Sequence, residues 1–512
     1  MPNILAYFVV LSWPVVASVA FRRLPLAAGI TAAMLGGFLL LPTRTAVDFP
    51  MLPGFDKNAS AILAALLLIL LSRNKPSRRP GTDALRGLLP SSFGARLCLV
   101  SALAGALVTA AANHDPLVYG PRTLPGLSYY DGLAADLSLV MLFFPYIIAR
   151  KYLASPRAQR QFLFVLVAAV ALYTIPTLYE IRMSPQLNRT VYGFFPASFF
   201  QHMRGDGFRP IVFLNHGLVL SLTLALATLA AVAGTRYNPE RRPLFVILAV
   251  LLFATLFLSK SLGAFAITVL FAPAILLAPA RMQLVFAALI SALLLAYPAM
   301  RAHGIVPIDR IVEMAEHIDA ERAGSLQFRL EQEETLLAKA EERPFFGWGG
   351  WGRARLHDER GKDISVSDGA WVILFGQGGW ALYLSVFGLL CLPVLQLAWQ
   401  ARRSEPDGVS VVLAILLAAN LIDLVPNASL TPLTWIIAGA LAGRLEWQRL
   451  SIGETNRIES SVQAPLFAPL MPTPVVESRS CRTPFSPVLR EPSPGQRQPC
   501  FAPQARDASS RE

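Results

Sequence analysis

PLFVILAVLLFATLFLSKSLGAFAITVLFAPAILLAPARMQLVFAALISALLLAYPAM, residues 243–300, carries only two charged side chains, Lys260 and Arg281. It divides into three apolar runs, 243–258, 262–280 and 283–300, separated by Ser259-Lys260-Ser261 and by Arg281. Each run approaches the ~20 residues that a helix needs to cross a bilayer. Comparable runs recur on both sides, at 4–21, 24–42, 57–72, 95–113, 133–149, 161–181, 211–234, 370–398, 409–425 and 431–446. The reading is an all-α polytopic bundle of about 13 transmembrane helices, within one, because strands of a membrane barrel would instead alternate over ~10-residue segments. The first run lacks a basic leader and a small-residue cleavage site, so it reads as a retained helix.

Composition agrees. Hydrophobic residues make up 54% of the 512 and charged residues 15%, against ~25% charged in soluble domains. The net charge of +12 reads as a bias of cytoplasmic loops, and no nucleic-acid partner is expected. Cys98, Cys391, Cys481 and Cys500 show neither metal spacing nor a disulfide framework. Arginine and lysine collect in alternate connections: Arg22 and Arg23; Arg73, Lys75, Arg78, Arg79 and Arg86; Arg150, Lys151, Arg157 and Arg160; Arg236, Arg241 and Arg242; Arg281; Arg402 and Arg403. That side is expected to be cytoplasmic. The N-terminus and the loops 182–210 and 301–369 then face outward. Residues 451–512, rich in Pro, Ser, Arg and Gln, read as a disordered cytoplasmic tail.

Polar chemistry concentrates in the outward loops. Within 301–369, Ser325 is expected to cap a helix with an apolar stripe of Leu326, Leu330, Leu337 and Ala340. Arg329 lies beside that stripe. It reads either as an exposed cation paired with Glu333 one turn on, or as a guanidinium able to grip a phosphate with two parallel bonds. After Pro344 comes Phe345-Phe346-Gly347-Trp348-Gly349-Gly350-Trp351-Gly352, in which Trp348 and Trp351 offer flat faces for a sugar or for the membrane interface. Asp368 opens the next apolar run, either as a helix cap or as a carboxylate able to accept a proton. The loop 182–210 holds Arg182, Arg189, Arg204, Asp206 and Arg209. Asn215 and His216 are expected about one turn inside the following helix, and Lys260 in a tight outward turn. Asn420 and Asp423 lie near the outward end of another run. Convergence of Arg209, Lys260 and Arg329 would make a site for an anionic head group.

In this order, Arg209, Ser259-Lys260-Ser261, Arg329, Pro344, Gly347, Gly349, Ser367-Asp368 and Gly378 resemble the O-antigen ligase and polymerase family. Those are integral membrane glycosyltransferases acting on undecaprenyl-diphosphate-linked sugars. The resemblance covers residues 200–400; the N-terminal half matches only as a helix bundle, and the tail does not match. The ligase branch carries a His-Asn pair where this chain has Ser367-Asp368, so the resemblance favours the polymerase branch. His216 or His357 would have to take that place in space for a ligase reading.

The resemblance implies a bacterial inner-membrane enzyme that polymerises lipid-linked repeat units without metal, nucleotide or other cofactor, because the diphosphate is itself the activated leaving group. It implies Arg329 and Arg209 on the diphosphate, supported by Lys260 and Arg204, with Asp368 accepting the proton of the incoming hydroxyl. Trp348, Trp351 and His216 would line the substrate. Its partners would be the lipid-linked oligosaccharide, membrane lipid and a chain-length regulator or other assembly protein. Two other classes compete: a transporter or flippase, which would place charge near the membrane midplane in repeated, interrupted helices, and a regulatory membrane component, which would suit the Pro-rich tail.

Overall fold

The computed structural model describes residues 1–49, 53–73, 84–204, 207–317, 320–366 and 368–462. The first run forms α1 (Ile4–Phe21), and the next two form α2 (Leu26–Leu40) and α3 (Lys57–Arg73). Next come α4 (Phe93–Ala112), a hairpin of β1 (Leu117–Tyr119) and β2 (Arg122–Leu124), α5 (Tyr129–Tyr152) and α6 (Pro156–Met183). A short α7 (Leu187–Tyr192) and a two-residue hairpin, β3 (Met203–Arg204) with β4 (Gly207–Phe208), precede α8 (Gly217–Tyr237), α9 (Arg242–Leu258), α10 (Leu262–Leu277) and α11 (Ala280–Ala302). The polar interruption holds α12 (Ile308–Glu316) and α13 (Ala320–Glu341), and the chain closes with α14 (Ala370–Gln400), α15 (Gly408–Asp423) and α16 (Pro432–Val462). The apolar runs correspond to α1–α6, α8–α11 and α14–α16. Eight of the described helices are long and apolar enough to cross a membrane, and four shorter ones are apolar. The chain is an all-α, polytopic helix bundle.

The hub is α8, of which 89% of the apolar window is buried. Its small residues, among them Ala227, Ala230, Ala231 and Gly234, let neighbouring helices approach closely, as membrane bundles require. A Cβ at Gly234 would lie 2.2 Å from the ring of Phe245 on α9. The other fully lined helix is α15, buried almost continuously from Ser410 to Leu421.

Loop contacts sort to two ends. At the arginine-rich end, buried Arg150 donates from Nε to Glu446 Oε1 at 3.0 Å and from Nη1 to the carbonyls of Gly87 and Leu88, both at 3.2 Å. Gly439 and Gly443 of α16 lie against the Tyr146 and Arg150 carbonyls, where any Cβ would clash. Removing one partner of such a pair strands a charge in apolar surroundings. Glu446→Ala should therefore destabilise the bundle by about 3–5 kcal/mol. An unchanged thermal midpoint for the purified variant would refute that.

At the opposite end lie the N-terminus, with Asn3 N–H donating to the Tyr192 carbonyl at 2.9 Å, the loop 184–216, the turn 259–261 and the segment 303–369. Two expectations are corrected here. Ser325 is not a cap: α13 already begins by Ala320, so Ser325 lies inside it. Residues 210–216 are not the first turn of a helix, and α8 starts only at Gly217. The tail expectation falls mostly on 463–512, outside the described residues, while 451–462 continue α16.

Candidate active site

The stretch that orients Arg209 is held from beneath. Glu180, near the end of α6, accepts backbone N–H bonds from Leu187 (2.9 Å), Ile211 (2.8 Å) and Val212 (2.7 Å). Tyr173 Oη, two turns earlier, accepts from Phe213 N–H at 3.1 Å and donates to the Leu39 carbonyl at 2.8 Å. Val212 sits at φ 55°, a left-handed conformation that costs a β-branched residue strain. The Glu180 clamp offsets that strain. Just before it, Arg209 is buried, its backbone N–H bonded to the His202 carbonyl at 2.8 Å. The absent side chain of Gly217 makes room for the Arg209 stem, whose Cγ and Cδ would lie 2.5 Å from a Cβ there.

Lys260 also adopts a left-handed backbone, φ 54°, in the turn between α9 and α10. Its carbonyl accepts from Arg209 Nη2 at 3.4 Å, and its ammonium donates to the Arg204 carbonyl at 3.0 Å. Arg204, Arg209 and Lys260 thus form one connected cationic group. Asp206 lies outside the described residues.

His216 caps α8: its Nδ1 accepts from Leu218 N–H at 3.1 Å. It is therefore at the helix mouth and not a turn inside the helix. Burial pushes its imidazole down to about 4, with the charges of Arg209, Arg204 and Arg329 adding to the fall and Asp368 opposing it. All four charges are within electrostatic reach of the ring. A neutral ring that accepts at Nδ1 carries its proton on Nε2, which makes His216 a donor. Its ring centroid lies 4.9 Å from that of His202. Burial, with His216, Arg209 and Arg204 adding, pushes the His202 imidazole down to about 3.

Arg329 and Asp368 meet. Arg329 Nε lies 3.1 Å from Asp368 Oδ2, both side chains partly exposed. Arg329 pairs with Asp368 and not Glu333. The helix α14 begins without a side-chain cap at Gly369, and the Ala370 N–H is bonded by the Leu424 and Asn427 carbonyls (3.1 and 3.3 Å). No hydrogen bond of the terminal amines of Arg329 is found among the described residues.

Glu333 is buried one turn along α13. Its Oε1 would be 2.8 Å from a Cβ at Gly369, so that glycine lets the carboxylate lie against the start of α14. Burial pushes Glu333 up to about 7, against Arg301 and the neighbouring Trp371 indole. The folded chain thus binds this proton more tightly than the unfolded chain, so the stability it contributes is full below pH 4.5 and is lost as pH rises to about 7. Glu333→Gln removes that loss. Relative to wild type, the thermal midpoint of the variant should rise between about pH 5 and about pH 8; a pH-independent difference would refute the linkage.

Trp348 and Trp351 are not brought into this group. Trp348 is buried, its indole N–H donating to the Lys339 carbonyl at 2.8 Å and its ring covered by Arg343 at 4.2 Å. Lys339 is ten residues beyond Arg329 on α13, about 15 Å along the axis. Trp351 is exposed and donates to Asp131 Oδ1 at 3.1 Å, on the side of α5. The Gly-rich turn around them has another task. Within α14, Gly379 leaves helical geometry (φ 59°, ψ −156°). The turn supplies the partners lost at that break: Trp348 N–H to Gly376 O (2.9 Å), Gly349 N–H to Gln377 O (2.8 Å), Trp380 N–H to Pro344 O (2.8 Å) and Ala381 N–H to Phe345 O (3.1 Å). Gly347 permits the approach, since a Cβ there would lie 2.5 Å from the Gln377 carbonyl carbon. His357 stacks on Tyr119 at 4.6 Å, within the β1–β2 side of the loop. Asp423 is used structurally, accepting from Asn427 (3.0 Å) and Ser429.

Residues 247–372 match the family model of O-antigen ligases. This quarter of the chain is similar to the O-antigen ligase domain. The matched stretch runs from α9 to the start of α14 and includes Lys260, Arg329 and Asp368. Membership of the O-antigen ligase and polymerase family, a class of membrane glycosyltransferases acting on lipid-linked oligosaccharide, is thereby supported. Arg204, Arg209 and His216 lie outside the matched stretch, yet the fold joins them to it. No curated protein and no solved structure matches the chain.

His202, Glu180 and the burial of Glu333 were not legible in the sequence. The first two sit in ordinary-looking contexts, and only the tertiary contacts give them work. A charged residue at the penultimate position of an apolar run, as Glu180 is in 161–181, was the available signal.

Proposed function

We propose that this protein polymerises undecaprenyl-diphosphate-linked repeat units at the outer face of the cytoplasmic membrane. The observation that carries the reading is the Arg329–Asp368 pair beside Arg209, Arg204, Lys260 and His216, at the end opposite the arginine-rich loops. That distribution of charge supports an outward-facing site, an outward N-terminus and a cytoplasmic C-terminal tail.

In the reaction, the bond from the donor sugar's anomeric carbon to the diphosphate oxygen breaks, and the diphosphate leaves with the electron pair. The acceptor hydroxyl oxygen bonds that carbon, and its proton passes to Asp368. The terminal amines of Arg329, with Arg209 and Lys260, stabilise the charge gathering on the diphosphate. His216, a donor at Nε2, orients a sugar or phosphate oxygen. Because its Nδ1 is occupied by Leu218, it is poorly placed to replace the ligase histidine as a base, which supports polymerisation over ligation. A chain-length regulator remains a fitting partner for such a polymerase.

The test is the glycan profile of cells lacking the protein. Replacement of the long ladder by single-repeat glycan supports polymerisation. Long chains retained on the carrier identify a ligase, and an unchanged ladder removes both.

A further inference from the structure

We propose that a cleft at the arginine-rich end, remote from the candidate active site, is a binding site for an anionic phospholipid. A cavity of about 460 Å³ opens between α2, α6, α8, α9 and α15, within the ~300–1,000 Å³ range of ligand pockets. Its floor is built from small residues of α8, Ala230 and Ala233, which leave the depth that larger side chains would fill. Phe164, half exposed on α6, stands at its lip, so the cleft faces the surroundings of the bundle and not its core.

The polar rim is one-signed. Arg157, Arg160 and Arg241 all line the cleft, and none of these side chains makes a hydrogen bond or ion pair among the described residues. Their neighbour Arg236 differs: it spends its guanidinium on the Ile275 and Ala278 carbonyls at 2.6 and 2.7 Å. At the same rim the Tyr237 hydroxyl is buried without a hydrogen-bond partner among the described residues. Three uncommitted guanidiniums and an unsatisfied hydroxyl above an apolar slot match a phosphodiester head joined to acyl chains. A soluble anion would use the rim and leave the slot empty. A zwitterionic lipid would bring its own cation against three others. Basic pockets between membrane helices recognise anionic head groups in this way.

The experiment is native mass spectrometry of the full chain released from detergent with added phosphatidylglycerol, cardiolipin or phosphatidylcholine. Wild type should retain the anionic lipids in preference to phosphatidylcholine. The triple variant Arg157→Gln/Arg160→Gln/Arg241→Gln should lose them by about a hundredfold in affinity, roughly fivefold per charge. These arginines have no protein acceptor among the described residues, so the variant should fold. Arg402→Gln/Arg403→Gln, at the same end but outside the cleft, should keep wild-type retention. Ala233→Phe, which fills the floor with the arginines intact, should weaken the lipids and leave inorganic phosphate binding unaltered. Equal retention of anionic and zwitterionic lipid, or equal losses in the cleft and control variants, would overturn the proposal.

Discussion

Arg329→Lys should behave almost as badly as Arg329→Ala in glycan synthesis, although lysine keeps the charge. In the structure the Nε of Arg329 lies 3.1 Å from Asp368, and in the proposed reading the two terminal amines take the phosphate. One guanidinium can therefore hold the carboxylate and present a fork to the diphosphate at once. A lysine ammonium is a point charge. It reaches either Asp368 or the diphosphate, and whichever it abandons is misplaced. Loss of a single donor to a developing oxyanion typically costs about 10²–10³ in rate, so Arg329→Ala should reduce polymer formation by at least that factor. The check is the length profile of lipid-linked glycan in cells with equal amounts of each variant in the membrane. A full ladder from Arg329→Lys would refute bidentate recognition. Asp368→Asn separates the roles, because it keeps an amide oxygen beside Arg329 and removes the proton acceptor. It should be as inactive as the arginine variants while keeping wild-type thermal stability.

The second large effect is expected at Glu180, which touches no substrate. Its carboxylate satisfies three backbone N–H groups, those of Leu187, Ile211 and Val212. Glu180→Ala leaves these donors without acceptors in an apolar setting, at about 1–3 kcal/mol each, and frees the strained Val212 to relax. Some bonds will be regained by rearrangement, so a loss on the order of 3–5 kcal/mol is expected. The rearrangement moves Arg209, three residues before Val212. Glu180→Gln should fall between, because one amide oxygen still accepts while its NH₂ opposes an N–H donor. Thermal unfolding of the purified chains, read beside glycan synthesis, tests both. Wild-type stability for Glu180→Ala would show that the clamp is dispensable. Wild-type activity with lowered stability would show that it does not position Arg209.

The bundle was open to a sequence reading because the bilayer imposes a local rule: each crossing must carry its own apolar length and satisfy its own backbone. The runs at 243–258, 262–280 and 283–300 met that rule and became α9, α10 and α11. Lys260, Asp368 and Arg209 stood out as polar residues at the ends of such runs, and Arg329 beside the apolar stripe of the outward loop. The order of motifs from Ser259 to Gly378 resembled a family that the comparison over 247–372 supports.

Roles that depended on what approached from elsewhere were not written locally. The tryptophans of the Gly-rich turn looked like sugar platforms, because exposed and wedged aromatic residues have the same letters. Their turn is used to repair the break at Gly379, and Trp348 is buried against Lys339 and Arg343. His216 was read inside a helix because hydropathy is continuous across 211–234, but Glu180 captures the first amides of that run and delays the helix to Gly217. Sequence by itself determined the all-α membrane bundle, its sidedness of charge and the residue types of the candidate site, since these follow from composition and spacing along the chain. Only the tertiary structure decided that Arg329 pairs with Asp368, that Arg209 reaches the Lys260 carbonyl, and that His216 lies within electrostatic reach of Arg209, Arg329 and Asp368, because such pairings join segments up to about 150 residues apart and are set by packing of the helices between them.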